Sequence, residues 1–384
     1  MLSPRGVARL RSGHPWARRE DVVRGPEGPG DVVELRDGRG GFLGTALWSP
    51  SSPVAARVLD RGQVELDAAL LDARIGAALE RRRALLPGAD AYRVVHGEAD
   101  LLPGLFVDRY ADVAVLQTGC AAMDAREPLI AERLMSLLGV RLVVARNDGG
   151  VRDFEGLPRR RGIVRGEGPT RVRFHDAGSR CEADVLEDGK TGGFLDQQEN
   201  HGRAAEYARP GMAALDAFTY HGGFALALGR AGAQVLALDE AQAAVGRARD
   251  NVVANGLEDR VEVRCENAFD ALRRLESEGR QFDVVVIDPP ALAKRRSALP
   301  AAERAYKELN LRALRLTRPG GLVVTCSCSG RVTVEHFGAL VAAAAHDVGR
   351  PVQLVERRGA GRDHPPLLNV PETEYLKCWF LRVL

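Results

Sequence analysis

Apolar and polar positions change rhythm twice along the chain. The runs Asp31-Val32-Val33-Glu34-Leu35, Phe42 to Trp48 and Ala55 to Leu59 predict short strands, with a glycine-rich hairpin turn at Asp37 to Gly41. Residues 1–68 therefore read as a small β-rich unit. From Leu66 the apolar positions Leu70, Leu71, Ile75, Ala78 and Leu79 fall at helical spacing, and Pro87 and Gly88 end that helix. Strands at Tyr92 to Val95, Leu105 to Asp108, Val113 to Gln117 and Arg141 to Arg146, with a helix over Glu127 to Leu138, make residues 69–175 a central α+β unit. Beyond it the buried-type runs Ala213 to Ala217, Gln234 to Leu238, Val261 to Arg264, Val284 to Ile287 and Leu322 to Thr325 alternate with helical segments. That alternation predicts an α/β unit over 176–384, built on a doubly wound parallel sheet.

Composition adds exclusions. A chain of 384 residues with 45% hydrophobic and 28% charged positions is neither disordered nor fibrous. No apolar run approaches the roughly 20 residues of a membrane span, and Met1 to Glu20 lacks a signal-peptide stretch, so a cytoplasmic protein with no membrane partner is expected. The six cysteines form no C-x-x-C pair and no zinc-spaced cluster, which speaks against a disulfide framework or a metal. Net charge is +2, but Arg5, Arg9, Arg11, Arg18 and Arg19 cluster near the start and Arg159, Arg160, Arg161 and Arg165 form a second run. Since only four of the 54 basic residues are lysine, this arginine excess is first a coding bias.

The carboxyl ends of the expected parallel strands carry the chemistry. The first ends Leu215-Asp216-Ala217-Phe218-Thr219-Tyr220-His221-Gly222-Gly223, where glycines allow a tight turn into a helix. The second ends in Asp239, which can accept both ribose hydroxyls of an adenosine. The glycines do not follow G-x-G-x-x-G and no phosphate-binding lysine follows, so an adenosine cofactor without a phosphate chain fits best, namely S-adenosyl-L-methionine. After the third strand Asn267 either reads the adenine edge or caps a helix. The fourth ends in Asp288-Pro289-Pro290, which sets Asp288 at the lip of the sheet, and the fifth in Cys326-Ser327-Cys328-Ser329-Gly330. A cysteine among small polar residues at that mouth, beside an aspartate from the next strand, is placed as a nucleophile, and the register favours Cys328.

The segments Gly13-His14-Pro15-Trp16, His96 to Leu105, Gly192 to Gln198, Asp288-Pro289-Pro290, Ser327-Cys328-Ser329-Gly330, Asp363-His364-Pro365 and Pro371 to Lys377 resemble those of the bacterial 23S ribosomal RNA cytosine-C5 methyltransferases, over essentially the whole chain. The resemblance implies an N-terminal PUA domain, a central domain and a Rossmann-like methyltransferase domain. It implies that Phe218, Tyr220 and Gly222 line the cofactor pocket, with Asp216 and Asp288 also binding the cofactor, that Asp239 holds the ribose and Asn267 the adenine, and that Gln197 closes the site. It makes Cys328 and Asp288 the catalytic pair, 23S ribosomal RNA the partner, and a homodimer an admissible assembly. Asn267 departs from the acidic residue usual in the family, Cys326 is an extra cysteine, and Pro289-Pro290 stands where many RNA cytosine methyltransferases carry a second cysteine. The competing expectations are methylation of a base nitrogen without cysteine catalysis, and a non-catalytic RNA-binding module. The N-terminal arginines are expected to anchor RNA, because a flipped target base needs backbone contacts beyond the pocket.

Overall fold

The computed structural model describes every residue except 29, 31 and 294, so Asp31 of the first expected strand lies outside the described residues. The chain divides into two units: Met1–Phe174 with Ala183–Gly193 and Arg362–Pro371, and His175–Glu182 with Phe194–Gly361 and Glu372–Leu384.

The first unit opens with a helix that the strand pattern did not predict, α1 (Pro4–Arg11). Ser3 caps it by accepting from the Gly6 N–H, Pro4 fits its first turn, and Arg9 and Arg11 sit favourably at its carboxyl end. At eight residues it is too short to declare a period. Four antiparallel strands follow, β1 (Trp16–Arg18), β2 (Val32–Arg36), β3 (Phe42–Trp48) and β4 (Val54–Asp60), in the order β1-β4-β3-β2. Leu2, Leu10, Leu35, Ala46 and Trp48 are part of their core.

Helix α2 (Ala68–Leu85) starts where Asp67 accepts from the Leu70 N–H. The strands β5 (Ala91–His96), β6 (Leu105–Tyr110), β7 (Val113–Thr118), β8 (Leu142–Asn147) and β9 (Arg160–Gly166) form one sheet in sequence order, with only β7 and β8 parallel. Two short helices, α3 (Ala121–Asp124) and α5 (Val151–Glu155), flank α4 (Glu127–Leu138), and α2 and α4 bury Ile75, Leu79, Ile130 and Leu134 with Val94, Leu105 and Leu116 of the sheet. The second arginine run borders and enters β9, and its charge is used internally: Arg159 pairs with Asp153, Arg160 with Asp124 and Glu127, Arg161 with Glu187, and Arg165 with Glu132.

A hairpin of β10 (Arg171–Asp176) and β11 (Ser179–Asp184) carries the chain onward. The second unit is a seven-stranded sheet of β12 (Ala213–Ala217), β13 (Gln234–Asp239), β14 (Val261–Cys265), β15 (Phe282–Ile287), β16 (Thr317–Ser327), β17 (Val352–Arg358) and β18 (Lys377–Val383), in the order β14-β13-β12-β15-β16-β18-β17. The first five are the expected parallel strands; β18 runs antiparallel to both β16 and β17. This terminal pair was not predicted, since Val352-Gln353-Leu354-Val355-Glu356 alternates poorly and a long connection separates it from β18. The helices α6 (Gln198–Tyr207), α7 (Gly223–Arg230), α8 (Gln242–Ala254), α9 (Ala268–Ser277), α10 (Leu299–Leu316) and α11 (Val334–Val348) complete the unit, whose core includes Leu215, Leu236, Val285, Val323, Leu309 and Phe337. Among the described residues no helix is long and apolar enough to cross a membrane, and no cluster of His, Cys, Asp and Glu could hold a metal ion.

Candidate functional site

The strand order reverses beside β12, and the predicted site residues gather at the carboxyl ends of the strands around it, where open α/β sheets place ligands. After β12 the backbone takes positive φ at Phe218 (69°), Tyr220 (51°) and Gly222 (92°). Two non-glycine residues in that region cost of order 1–3 kcal/mol each unless the surroundings hold them. Here two carboxylates do so. Asp216 Oδ2 accepts from Thr219 Oγ1 at 2.6 Å and from the Ala225 N–H at 3.0 Å. Asp239 Oδ2 accepts from the Tyr220 N–H at 2.9 Å, and its Oδ1 accepts from the Ala241 N–H at 2.9 Å. Asp239 thus ties the end of β13 to the turn after β12.

Asp216 is 1% exposed and its other oxygen, Oδ1, has no hydrogen-bond partner, so burial pushes the carboxyl up to about 7. Beside it lies His201, which the sequence reading missed. Its ring fills the space over Gly223, where an added Cβ would come within 2.2 Å of Cε1, and it stacks edge-on against Phe224 at 4.5 Å. Nδ1 donates to both oxygens of Asp176 at 2.9 and 3.0 Å. Burial opposes charge on this imidazole, but Asp176, then Asp288 and Asp216, raise its pKa above the ordinary value. His201 stands four residues after Gln197, one helical turn on, which is the signal that could have found it. Phe194, also missed, packs edge-on against Tyr220 at 4.7 Å.

Register pairs Ile287 of β15 with Thr325 of β16, which carries Asp288 and Cys328 to the same end of the sheet. Gln197 is buried, donates from Nε2 to Asp288 Oδ2 at 3.0 Å, and accepts from Asn200 Nδ2 at 2.6 Å. Its amide therefore orients Asp288. The two neighbouring cysteines part company in burial. Cys326 is fully buried opposite Cys378 of β18, and burial first, then the adjoining thiol, drives its pKa well above normal. Cys328 is half-buried at the mouth, with Sγ 3.8 Å from the Pro289 carbonyl oxygen. Asn267 is exposed after the edge strand β14. Its Oδ1 caps α9, accepting from the Phe269 and Asp270 N–H groups at 3.1 and 3.4 Å, while Nδ2 donates to Glu240 at 2.7 Å. Of the two uses expected for Asn267, the structure holds the cap.

Comparison with known proteins gives this geometry a family. A PUA-like domain family matches residues 1–61, and an S-adenosylmethionine-dependent methyltransferase family matches residues 163–370. A ribosomal RNA large subunit methyltransferase I from Erwinia tasmaniensis is 35% identical over 379 residues, covering 97% of this chain and 96% of that protein. The chain belongs to this methyltransferase family. A second such relative, from Aeromonas hydrophila, is 37% identical, with 96% and 95% covered. Among solved structures, a Streptococcus mutans protein described as an S-adenosylmethionine-dependent methyltransferase shares the fold at a TM-score of 0.85 and 18% identity, covering 100% of this chain and 99% of the other. Another, described as a methyltransferase complexed with S-adenosylhomocysteine, matches at 0.87 with the same identity and coverage.

The cofactor of this methyltransferase is S-adenosyl-L-methionine, and the residues present fit it. The unpartnered, buried Asp216 Oδ1 is the complement of an ammonium group. The mouth of the sheet offers carboxylates and aromatic rings rather than a phosphate cradle.

Proposed function

We propose that this methyltransferase forms 5-methylcytosine in 23S ribosomal RNA, with Cys328 as nucleophile and Asp288 as the group that polarises the base. The observation that carries the reading is the placement of Cys328 at the mouth beside Asp288-Pro289, while Cys326 faces Cys378 in the core. The names of the relatives agree with a large-subunit ribosomal RNA substrate. Asp216, Phe218, Tyr220, Gly222 and Asp239 surround the cofactor in this reading. Gln197 orients Asp288, and Asn267, whose Oδ1 is committed to two backbone N–H groups, meets adenine only through the second hydrogen of Nδ2. Residues 1–68 act as the RNA-anchoring domain ahead of the central 69–175 and catalytic 176–384 portions. There Arg5, Arg11 and Arg19 are exposed, with Arg5 3.5 Å from Glu20 and Arg11 3.6 Å from Asp37, whereas Arg9 is bound to the buried Asp21 at 3.0 Å. A homodimer is not part of the proposal.

S-adenosylmethionine, when bound, supplies an electrophilic methyl group on a sulfonium. Cytosine C5 is a poor nucleophile until the Cys328 thiolate adds to C6, forming a C–S bond and moving the ring's electrons toward C5. Asp288, held by Gln197, faces the ring nitrogen and exocyclic amine; as the carboxylic acid it donates its proton toward the ring nitrogen while electrons move into the ring, and takes it back when the thiolate leaves. C5 takes the methyl group, loses its proton to a base or water, and the thiolate leaves as the double bond re-forms.

The test is RNA carrying 5-fluorocytosine at the target, since fluorine cannot depart as a proton and the adduct persists. Wild type and Cys326→Ala should trap it as a shifted band on a denaturing gel. Cys328→Ala should lose both adduct and methyl transfer while keeping S-adenosylmethionine binding. Methyl transfer that survives in Cys328→Ala would transfer the case to nitrogen methylation.

A further inference from the structure

The Pro371 to Lys377 segment ends in a buried cation that the reaction as written does not use. Lys377 is 1% exposed and begins β18, directly across from Ser327 of β16. Its ammonium has three donors and no acceptor. All three are engaged by backbone carbonyls: Ser329 at 2.9 Å, Val332 at 2.8 Å and Tyr375 at 2.8 Å. Two of these carbonyls belong to the turn that follows Cys328. Burying an ammonium is costly, and an apolar side chain of the same length would fill the space at lower cost. The same turn is gripped from the other side. The hydroxyl of Tyr306, itself 1% exposed, lies between Ser327 Oγ (3.0 Å) and Ser329 Oγ (2.9 Å), and Ser329 Oγ also accepts from the Ala293 N–H at 3.1 Å. Both neighbours of Cys328 are thus fixed by side chains.

We propose that Lys377 is the positioning residue of the nucleophile: it clamps the Ser329 to Val332 turn and keeps a positive charge beside Cys328, which favours the thiolate. The inference rests on Cys328 being the nucleophile. The three hydrogen bonds of Lys377 go to neutral oxygens, so among the described residues no contacting carboxylate cancels the charge. Burial lowers the lysine to about 8, while Cys328 and Glu374 act to retain its proton, and an attraction between ammonium and thiolate serves both partners. Among the described residues Lys377 from β18 and Tyr306 from α10 act electrostatically with the thiol, and Asp288 ends the neighbouring β15; of these three Lys377 is the cation. On activation the Cys328 proton passes to water; with all its N–H bonds in use, Nζ is no base.

The experiment measures alkylation of Cys328 by iodoacetamide in the full-length protein from pH 5.5 to 9.5, read by peptide mass spectrometry, with S-adenosylmethionine affinity as the check on folding. Wild type should titrate below the ordinary thiol value of about 8.5. Lys377→Met should raise the midpoint and cut the alkylation rate at pH 7 roughly tenfold, one pH unit being tenfold in thiolate. Lys377→Arg should stay within about threefold of wild type, as it retains the charge. A purely mechanical clamp would leave the midpoint unmoved. A wild-type midpoint at or above about 8.5 overturns the proposal without any variant, as does a folded Lys377→Met protein that titrates like wild type. If Lys377→Met loses cofactor binding, the wild-type midpoint and the Lys377→Arg profile decide. Failure of wild type to form the 5-fluorocytosine adduct strikes instead at Cys328 as nucleophile, so the two claims fail separately.

Discussion

Asp216 shows how one side chain links burial to ligand affinity. Its carboxyl, pushed up to about 7, is largely protonated below neutrality, and a cation at the unpartnered Oδ1 favours the ionised form. In the absence of ligand the sign is the opposite: the stability tied to this group is full at low pH and is lost as pH rises through about 7. S-adenosylmethionine affinity should therefore rise from pH 6 to pH 8, approaching tenfold per unit at the acid end, and calorimetry in two buffers should detect proton release on binding. Asp216→Asn should bind more weakly and flatten that dependence; a wild-type affinity unchanged across the range would remove Asp216 from the pocket. The placement of this residue was legible in the sequence, because Asp216 and Asp239 stand at strand ends that the apolar runs announce. The choice of Cys328 over Cys326 gained its physical basis only from burial. His201 and Lys377 were not legible, since each matters through partners far away in sequence, Asp176 for one and Ser329 for the other.

At the scale of elements, the five parallel strands and α4 were legible because their apolar periods are unbroken, whereas α1 is too short and β17 too polar to declare themselves. Asn267 shows what a residue type alone leaves open, as the same amide suits a cap or a base edge. Its bonds to the Phe269 and Asp270 N–H groups make α9 depend on it. Asn267→Ala should lower the unfolding free energy by about 1 kcal/mol, within the usual range for loss of an N-cap, while Asn267→Asp keeps most of it. Urea midpoints at constant m-value separate the two; equal midpoints would mean that the cap contributes nothing.

For the whole molecule, the discontinuity of the first unit was invisible in the sequence, since nothing in residues 183–193 or 362–371 says that they pack with residues 1–174. Their hydrogen bonds explain why they must. Asp363 Oδ2 accepts from the Arg93 N–H and its carbonyl accepts from the buried Arg82; the carbonyls of Val185 and Asp188 accept from the buried Arg146; Thr191 and Gly193 meet the buried Tyr110 hydroxyl. Each buried donor left unpartnered costs about 1–3 kcal/mol, and several together rival the roughly 5–15 kcal/mol that holds a domain folded. A fragment of residues 1–174 should therefore show no cooperative urea transition by circular dichroism, and a sharp one would mean that these segments are dispensable. The order of the large sheet also sets an order in time. Within the sheet β17 pairs with β18 alone, and β18 joins it to β16, so during synthesis β17 emerges before the strand that will pair with it. Until β18 emerges, the flank of β16 that will pair with it stays open, Cys326 has no Cys378 to face, and the turn bearing Cys328 has no lysine beneath it. The nascent chain can thus carry its five parallel strands and every predicted site residue and still lack the clamp beneath Cys328 until the seven residues of β18 follow.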